Sequence, residues 1–229
     1  MQEEEDPAKF HQSLEGIFFR KYDLEEGKVM RMPDIRDNNP KRYFLPQSNV
    51  KNLPFSTSKK NEVKLLFKAA TNSTFENMLM LSLTECEETV KGEVRKCVAS
   101  IEDMVNFART MLGKNIVVAT TNNSQGWKND VLIGQVNVTE NTINNVVCHQ
   151  ELYPYLMYLC HYVPQSRAYR VEISHPRTKK IINQGIAACH LDTSNWNPEH
   201  LAFKVLGGSP SQFEICHWLM VNEFLWVGV

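Results

Sequence analysis

The chain has 229 residues, 42% of them hydrophobic, and a formal net charge of −1. That length holds one large domain or two small ones, and that hydrophobic share supplies a substantial core. The near-neutral balance excludes a general attraction to nucleic acid or anionic membrane, and no apolar run approaches a membrane span.

Residues 1 to about 13 are acidic and polar, which predicts a flexible tail over 1–15 ahead of one ordered unit over 16–229. Ile17-Phe18-Phe19 opens that unit, and a turn at Glu25-Glu26-Gly27-Lys28 separates it from Val29-Met30-Arg31-Met32. Residues 33–62 are rich in Pro, Asn, Ser and Lys and read as extended and loop-heavy, anchored by Tyr43-Phe44-Leu45 and Phe55.

Two helices follow. Ser73 with Glu76 makes a capping box ahead of Phe75, Met78, Leu79 and Leu83. Ser100 with Asp103 does the same for Ile101, Met104, Val105, Ala108 and Met111, and Gly113 closes that helix. Beyond it the pattern turns to strands: Ile116–Ala119, then Val131–Val138, with a turn over Asn122–Gly126. No linker splits the chain. The fold class is α+β in one domain, with helices in the first half and mostly antiparallel sheet in the second.

Six cysteines form an even set, as full pairing in an oxidising compartment requires. Three Asn-x-Ser/Thr sequons, at Asn72, Asn122 and Asn137, are glycosylation candidates and fit the secretory pathway, with a vacuolar or extracellular destination. No apolar signal segment follows Met1, so the chain reads as a mature or trimmed form. Six cysteines permit fifteen complete pairings; Cys86 with Cys97 is the favoured one, leaving the other four to pair among themselves. That loop closure contributes ~3 kcal/mol on the chain-entropy model.

Those four belong to Cys-His dipeptides: Cys148-His149, Cys160-His161, Cys189-His190 and Cys216-His217. Each follows residues that suit a strand, such as Val146-Val147 and Ile186-Ala187-Ala188. Neighbouring side chains on a strand point to opposite faces, so sulfurs can pair on one side while imidazoles gather on the other. The spacing does not fit the Cys-x2-4-Cys and His-x3-5-His clusters of structural zinc sites. Imidazoles without thiolate suit copper(II), nickel or zinc. Four structural histidines beside four disulfide cysteines, with no metal, remain open on spacing alone.

The pattern Cys-His-x10-Cys-His-x27-Cys-His-x25-Cys-His resembles the signature of the plant BURP-domain family. Phe18-Phe19 with Asp23-Leu24, Glu85-Cys86-Glu87, Gly92-Glu93, Tyr153-Pro154-Tyr155 and Asp192-Thr193-Ser194 with Trp196-Asn197-Pro198 extend the likeness from about Gly16 to the C-terminus. The short N-terminal lead is most similar to the unknown-seed-protein branch. The resemblance implies a copper-dependent, oxygen-requiring peptide cyclase, with His149, His161, His190 and His217 as copper ligands and catalytic residues. It implies that a Trp nitrogen or Tyr oxygen of a core peptide is joined to an unactivated carbon. His200 is a candidate further ligand, or a surface histidine after a Pro turn.

No repeated aromatic segment is present to serve as that core peptide, and Trp127, Trp196, Trp218 and Trp226 are accounted for by burial. The alternative is a non-catalytic secreted seed or cell-wall protein with a structural metal and disulfide motif. A zinc hydrolase finds no His-Glu-x-x-His or similar motif. Tyr153, Tyr155 and Tyr158 are expected in the core, and His175 in solvent.

Overall fold

The computed structural model of the protein describes residues 16–37, 39–123, 129–139 and 144–229. The predicted tail over 1–15, the predicted turn beyond Asn123 and Trp127 lie outside the described residues. Two antiparallel sheets pack face to face. The first runs β1 (Phe18–Phe19), β11 (Ile215–Trp218), β10 (Ile181–His190), β9 (Ser166–Ser174), β6 (Asp130–Val138), β2 (Val29–Arg31), with β5 (Asn122–Asn123) on β10. The second runs β3 (Val94–Val98), β8 (Tyr158–Pro164), β7 (Asn144–Gln150), β12 (Phe224–Gly228), β4 (Ile116–Ala119).

Between the sheets lie Ala119, Val147, Leu225 and Val227 of one and Ala168, Ile186 and Ala188 of the other, with Leu219. The outer face of the five-stranded sheet is covered by the helix Ile101–Leu112 (α4), whose Met104, Phe107 and Ala108 meet Val146, Cys148, Tyr158, Cys160 and Trp226. The outer face of the seven-stranded sheet is covered by the N-terminal segment, through Leu24, Met32 and Ile35 on Val171, Ile173, Cys189 and Cys216. Fully burying one such aliphatic side chain is worth about 1.5–3 kcal/mol.

The α+β single domain is borne out: four of the five α-helices described precede Gly113, and the sheets are mostly built from later residues. Those helices are α1 (Gln47–Val50), α2 (Lys60–Phe67), α3 (Thr74–Glu87) and α4, with α5 (Leu201–Leu206) the later one. Gly113 ends α4 at φ 94°, a backbone region that glycine enters without steric cost. Helix α1 is an addition to the loop-heavy reading of 33–62, and α2 starts at the end of that stretch and runs beyond it. Helix α2 buries Val63 beside Leu79, Leu83 and Tyr153, a contact that lies far from it in sequence.

Both predicted capping boxes form only half of their bonds. Ser73 Oγ accepts from Glu76 N and Ser100 Oγ from Asp103 N. The acidic partners are captured by other side chains instead, Asp103 by Gln47 Nε2 at 2.8 Å and the buried Glu76 by Lys60 Nζ at 2.9 Å and Lys64 Nζ at 3.1 Å. Glu76 also accepts from the Asn72 backbone N–H. Tyr153, Tyr155 and Tyr158 are core residues as expected. His175 is half-buried, its Nδ1 accepting from the Arg177 and Thr178 backbone in a turn.

The Lys60 hydrogen bond, with Lys64 and the Asn72 amide, holds the Glu76 carboxyl down at about 2. A carboxylate depressed in the folded state contributes stability above its unfolded value of about 4.3, lost as pH falls toward the folded value. Glu76→Gln is therefore expected to lower Tm by several degrees at pH 7. The deficit should shrink in melts taken from pH 5 down to pH 2, because the wild type loses the same interaction there.

Candidate metal centre

Each Cys-His dipeptide lies on a strand, in β7, β8, β10 and β11. Register places Cys148 opposite Cys160 and Cys189 opposite Cys216, and both pairs are disulfides within their own sheets. Cys86 and Cys97 form the third, tying the end of α3 to β3, and no described cysteine is free. The four strand sulfurs join the two outer cores. Strand alternation then sends all four imidazoles inward, between the sheets.

The rings form a closed circuit. Centroids are 5.3 Å apart for His149–His161 and 5.5 Å for His190–His217, each pair within one sheet. Across the sheets they are 5.5 Å apart for His149–His217 and 6.4 Å for His161–His190. With metal–nitrogen bonds of about 2 Å and a ring radius of about 1 Å, two imidazoles on one ion have centroids roughly 4.5–6.5 Å apart. Among the described residues, no group of three or more His, Cys, Asp or Glu already stands as a set able to hold an ion. The quartet is thus convergent but somewhat open, and its nitrogens would have to draw inward.

Hydrogen bonding leaves donors for that purpose. His149 Nδ1 meets Glu223 Oε1 at 2.8 Å, His161 Nδ1 meets Glu93 Oε2 at 3.1 Å, and His217 Nδ1 meets the Trp218 carbonyl at 3.3 Å. Carboxylate or carbonyl partners on one ring nitrogen fix the ring and raise the basicity of the other, as in metal sites generally. His161 Nε2 and His190 Nδ1 are buried without a hydrogen-bond partner, the kind of orphaned atom a ligated ion would satisfy. By donor type and convergence these residues fit a transition metal.

Burial sets the protonation states. It lowers the pKa of His161 despite Glu93, and lowers His190 well below the usual imidazole value, with the neighbouring rings adding to the effect. His217 is pushed down to about 4 by burial and by His149. For His149 burial works the same way, but the Glu223 charge and hydrogen bond outweigh it and raise the pKa. Glu93 and Glu223 are held below the usual carboxylate range by these histidines against the cost of their own burial. His161, His190 and His217 are therefore shifted toward the neutral form that ligates, while Glu223 favours the charged form of His149.

The rings line a cleft of about 380 Å³ whose other walls include Phe18, Leu159, Trp196, Met220 and Glu223. His200 sits at the N-cap of α5, its Nδ1 accepting from Ala202 N, and its ring lies 4.5 Å from that of Trp196. It borders the quartet without joining the circuit. Glu93 was visible within the Gly92-Glu93 likeness, but nothing local marks Glu223, 74 residues from its histidine. Asn72, Asn122 and Asn137 are all exposed.

The BURP domain model matches residues 17–228. Polygalacturonase 1 beta-like protein 3 of Arabidopsis thaliana is 48% identical over 214 residues, 92% of this chain and 34% of that protein. Polygalacturonase-1 non-catalytic subunit beta of Solanum lycopersicum is 46% identical over the same share of each. BURP domain-containing protein 16 of Oryza sativa subsp. japonica is 42% identical over 93% of this chain and 62% of its own length. The chain spans about a third of the first two relatives.

These names correct the expectation of a copper-dependent peptide cyclase. Relatives aligned over nine-tenths of the chain are named as non-catalytic subunits, and nothing supports an enzyme acting with dioxygen on a Trp- or Tyr-containing core peptide. The gathering of imidazoles holds; the catalytic role assigned to it does not.

Replacing Glu223 by Gln removes the charge that lifts His149. The His149 ring resonances are then expected to titrate at lower pH by NMR, moving toward the behaviour of His217. An unchanged His149 titration would show that Glu223 does not govern that ring. The chain belongs to the BURP domain family.

Proposed function

We propose that the chain is a non-catalytic accessory module of the cell wall or extracellular space that associates with a polygalacturonase. The observation that carries this reading is the set of relatives named polygalacturonase non-catalytic subunits, aligned over 92% of the chain. Three disulfides suit an oxidising compartment. The exposed sequon asparagines at 72, 122 and 137 are its glycosylation sites. Among the described residues no helix is long and apolar enough to cross a membrane.

In this reading the imidazole quartet holds one transition-metal ion in a structural role, copper(II) being one of the ions that imidazole donors suit. When bound, the ion supplies a crosslink between the sheets. His149 and His161 come from the five-stranded sheet and His190 and His217 from the seven-stranded one. Glu223 and Glu93 hold two of the rings in orientation, and the flanking disulfides fix the strands that carry them. Such a bridge stabilises the folded chain without requiring turnover.

Copper(II) at a hundredfold excess over its Kd is expected to raise Tm by roughly 5–10 °C, from the ~2.7 kcal/mol that linkage supplies. His149→Ala and His217→Ala should abolish most of that shift while leaving the metal-free Tm within a few degrees. As pH falls, binding should weaken first as His149 takes a proton, and further as His217 does so near its value of about 4. An equal shift in the alanine variants would remove the quartet as the site. Co-purification with a polygalacturonase from plant wall extract, lost for the reduced and alkylated chain, tests the association. No enrichment over an unrelated disulfide protein would remove it.

A further inference from the structure

Three of the four rings are anchored through Nδ1: His149 to Glu223, His161 to Glu93 and His217 to the Trp218 carbonyl. An anchor of that kind fixes the ring's orientation and leaves Nε2 as the ligating atom. His190 differs. Its Nδ1 is buried with no partner among the described residues. Packing holds this ring instead, with His217 at 5.5 Å and the Trp196 indole at 4.8 Å. The widest gap in the circuit, 6.4 Å, also falls at His190, on its His161 side. His149 by contrast stands 5.3 Å and 5.5 Å from its two neighbours, both of them anchored.

The cleft of about 380 Å³ reaches all four rings, and the His149 side chain is 28% exposed. A small molecule from solvent therefore has a path to an ion placed among them. The carboxylates that line the same cleft are already engaged, Glu223 with His149, Glu93 with His161 and Glu88 with Arg95. A ring that no carboxylate or carbonyl orients or makes more basic is the ligand whose loss costs least. We infer that His149, His161 and His217 form the fixed shell of the ion, and that the position on the His190 side exchanges with a small monodentate nitrogen or oxygen donor entering through the cleft. This rests on the metal-holding reading above and adds to it an open coordination position. The fixed ligands still come from both sheets, so the crosslink survives the exchange.

The test uses the full chain loaded with copper(II), with metal counted and affinity measured against a competing chelator. His190→Ala and His190→Leu, the second keeping apolar bulk against Trp196, are compared with His149→Ala and His217→Ala. The His190 variants are expected to keep their copper with affinity lowered about tenfold, and the other two to lose more than about a hundredfold. Losses in both His190 variants as large as that in His149→Ala would overturn the fixed shell. Azide probes the exchangeable position in the wild type, where no substitution can disturb folding. A charge-transfer band and an altered copper paramagnetic resonance are expected at millimolar azide, with the metal still bound. An unchanged resonance and no band would remove the open position. Wild-type protein that takes up no copper would instead overturn the metal reading and this inference with it, and the metal count separates that result from the others.

Discussion

Everything about the centre follows from one geometric constraint: consecutive side chains on a strand leave on opposite faces. A Cys-His dipeptide placed there cannot send both groups the same way. In β7, β8, β10 and β11 the sulfurs turn to the covered outer faces and the imidazoles to the space between the sheets. The disulfides then lock the register, since a slip of one residue would exchange every sulfur for an imidazole. Register, disulfide pairing and the ring circuit are one arrangement seen from three sides.

Burial explains why the arrangement suits ligation. Imidazoles between two sheets lose solvent, which disfavours their charged form and leaves neutral rings. His149 is the exception because Glu223, itself hydrogen-bonded to Met220 N at 2.8 Å, brings a negative charge to its Nδ1. Glu93 stays charged beside a neutral His161 and accepts its hydrogen bond. Two buried ring nitrogens remain unpaired, a cost of about 1–3 kcal/mol apiece that a bound group would relieve.

Much of this was legible in the sequence because it is carried by local rules. Four strand dipeptides, the capped starts of α3 and α4 and the Gly113 stop depend on neighbours within a few residues, and the Cys86–Cys97 staple on a separation of 11. What escaped depends on contacts between distant segments. Helix α2 is held by burying Val63 against α3 and Tyr153, and only its first three residues fall in the stretch read as loop. Glu76 and Asp103 were expected to close capping boxes, yet lysines and Gln47 brought in by tertiary packing captured them. Glu223, just before β12, meets His149 of the neighbouring β7 across 74 residues of sequence with no pattern to announce it. The enzymatic reading failed differently: it followed from likeness to a family with several functions, and a shared fold does not carry activity with it.

A metal ion on the quartet would tie the two sheets together where the disulfides do not reach, since each strand disulfide stays within one sheet. The most direct measurement is X-ray absorption on the copper-loaded chain. The account predicts a first shell of nitrogen at about 2 Å with the outer-shell scattering of several imidazoles and no sulfur. Sulfur scattering at about 2.3 Å, or a shell without imidazole, would contradict it.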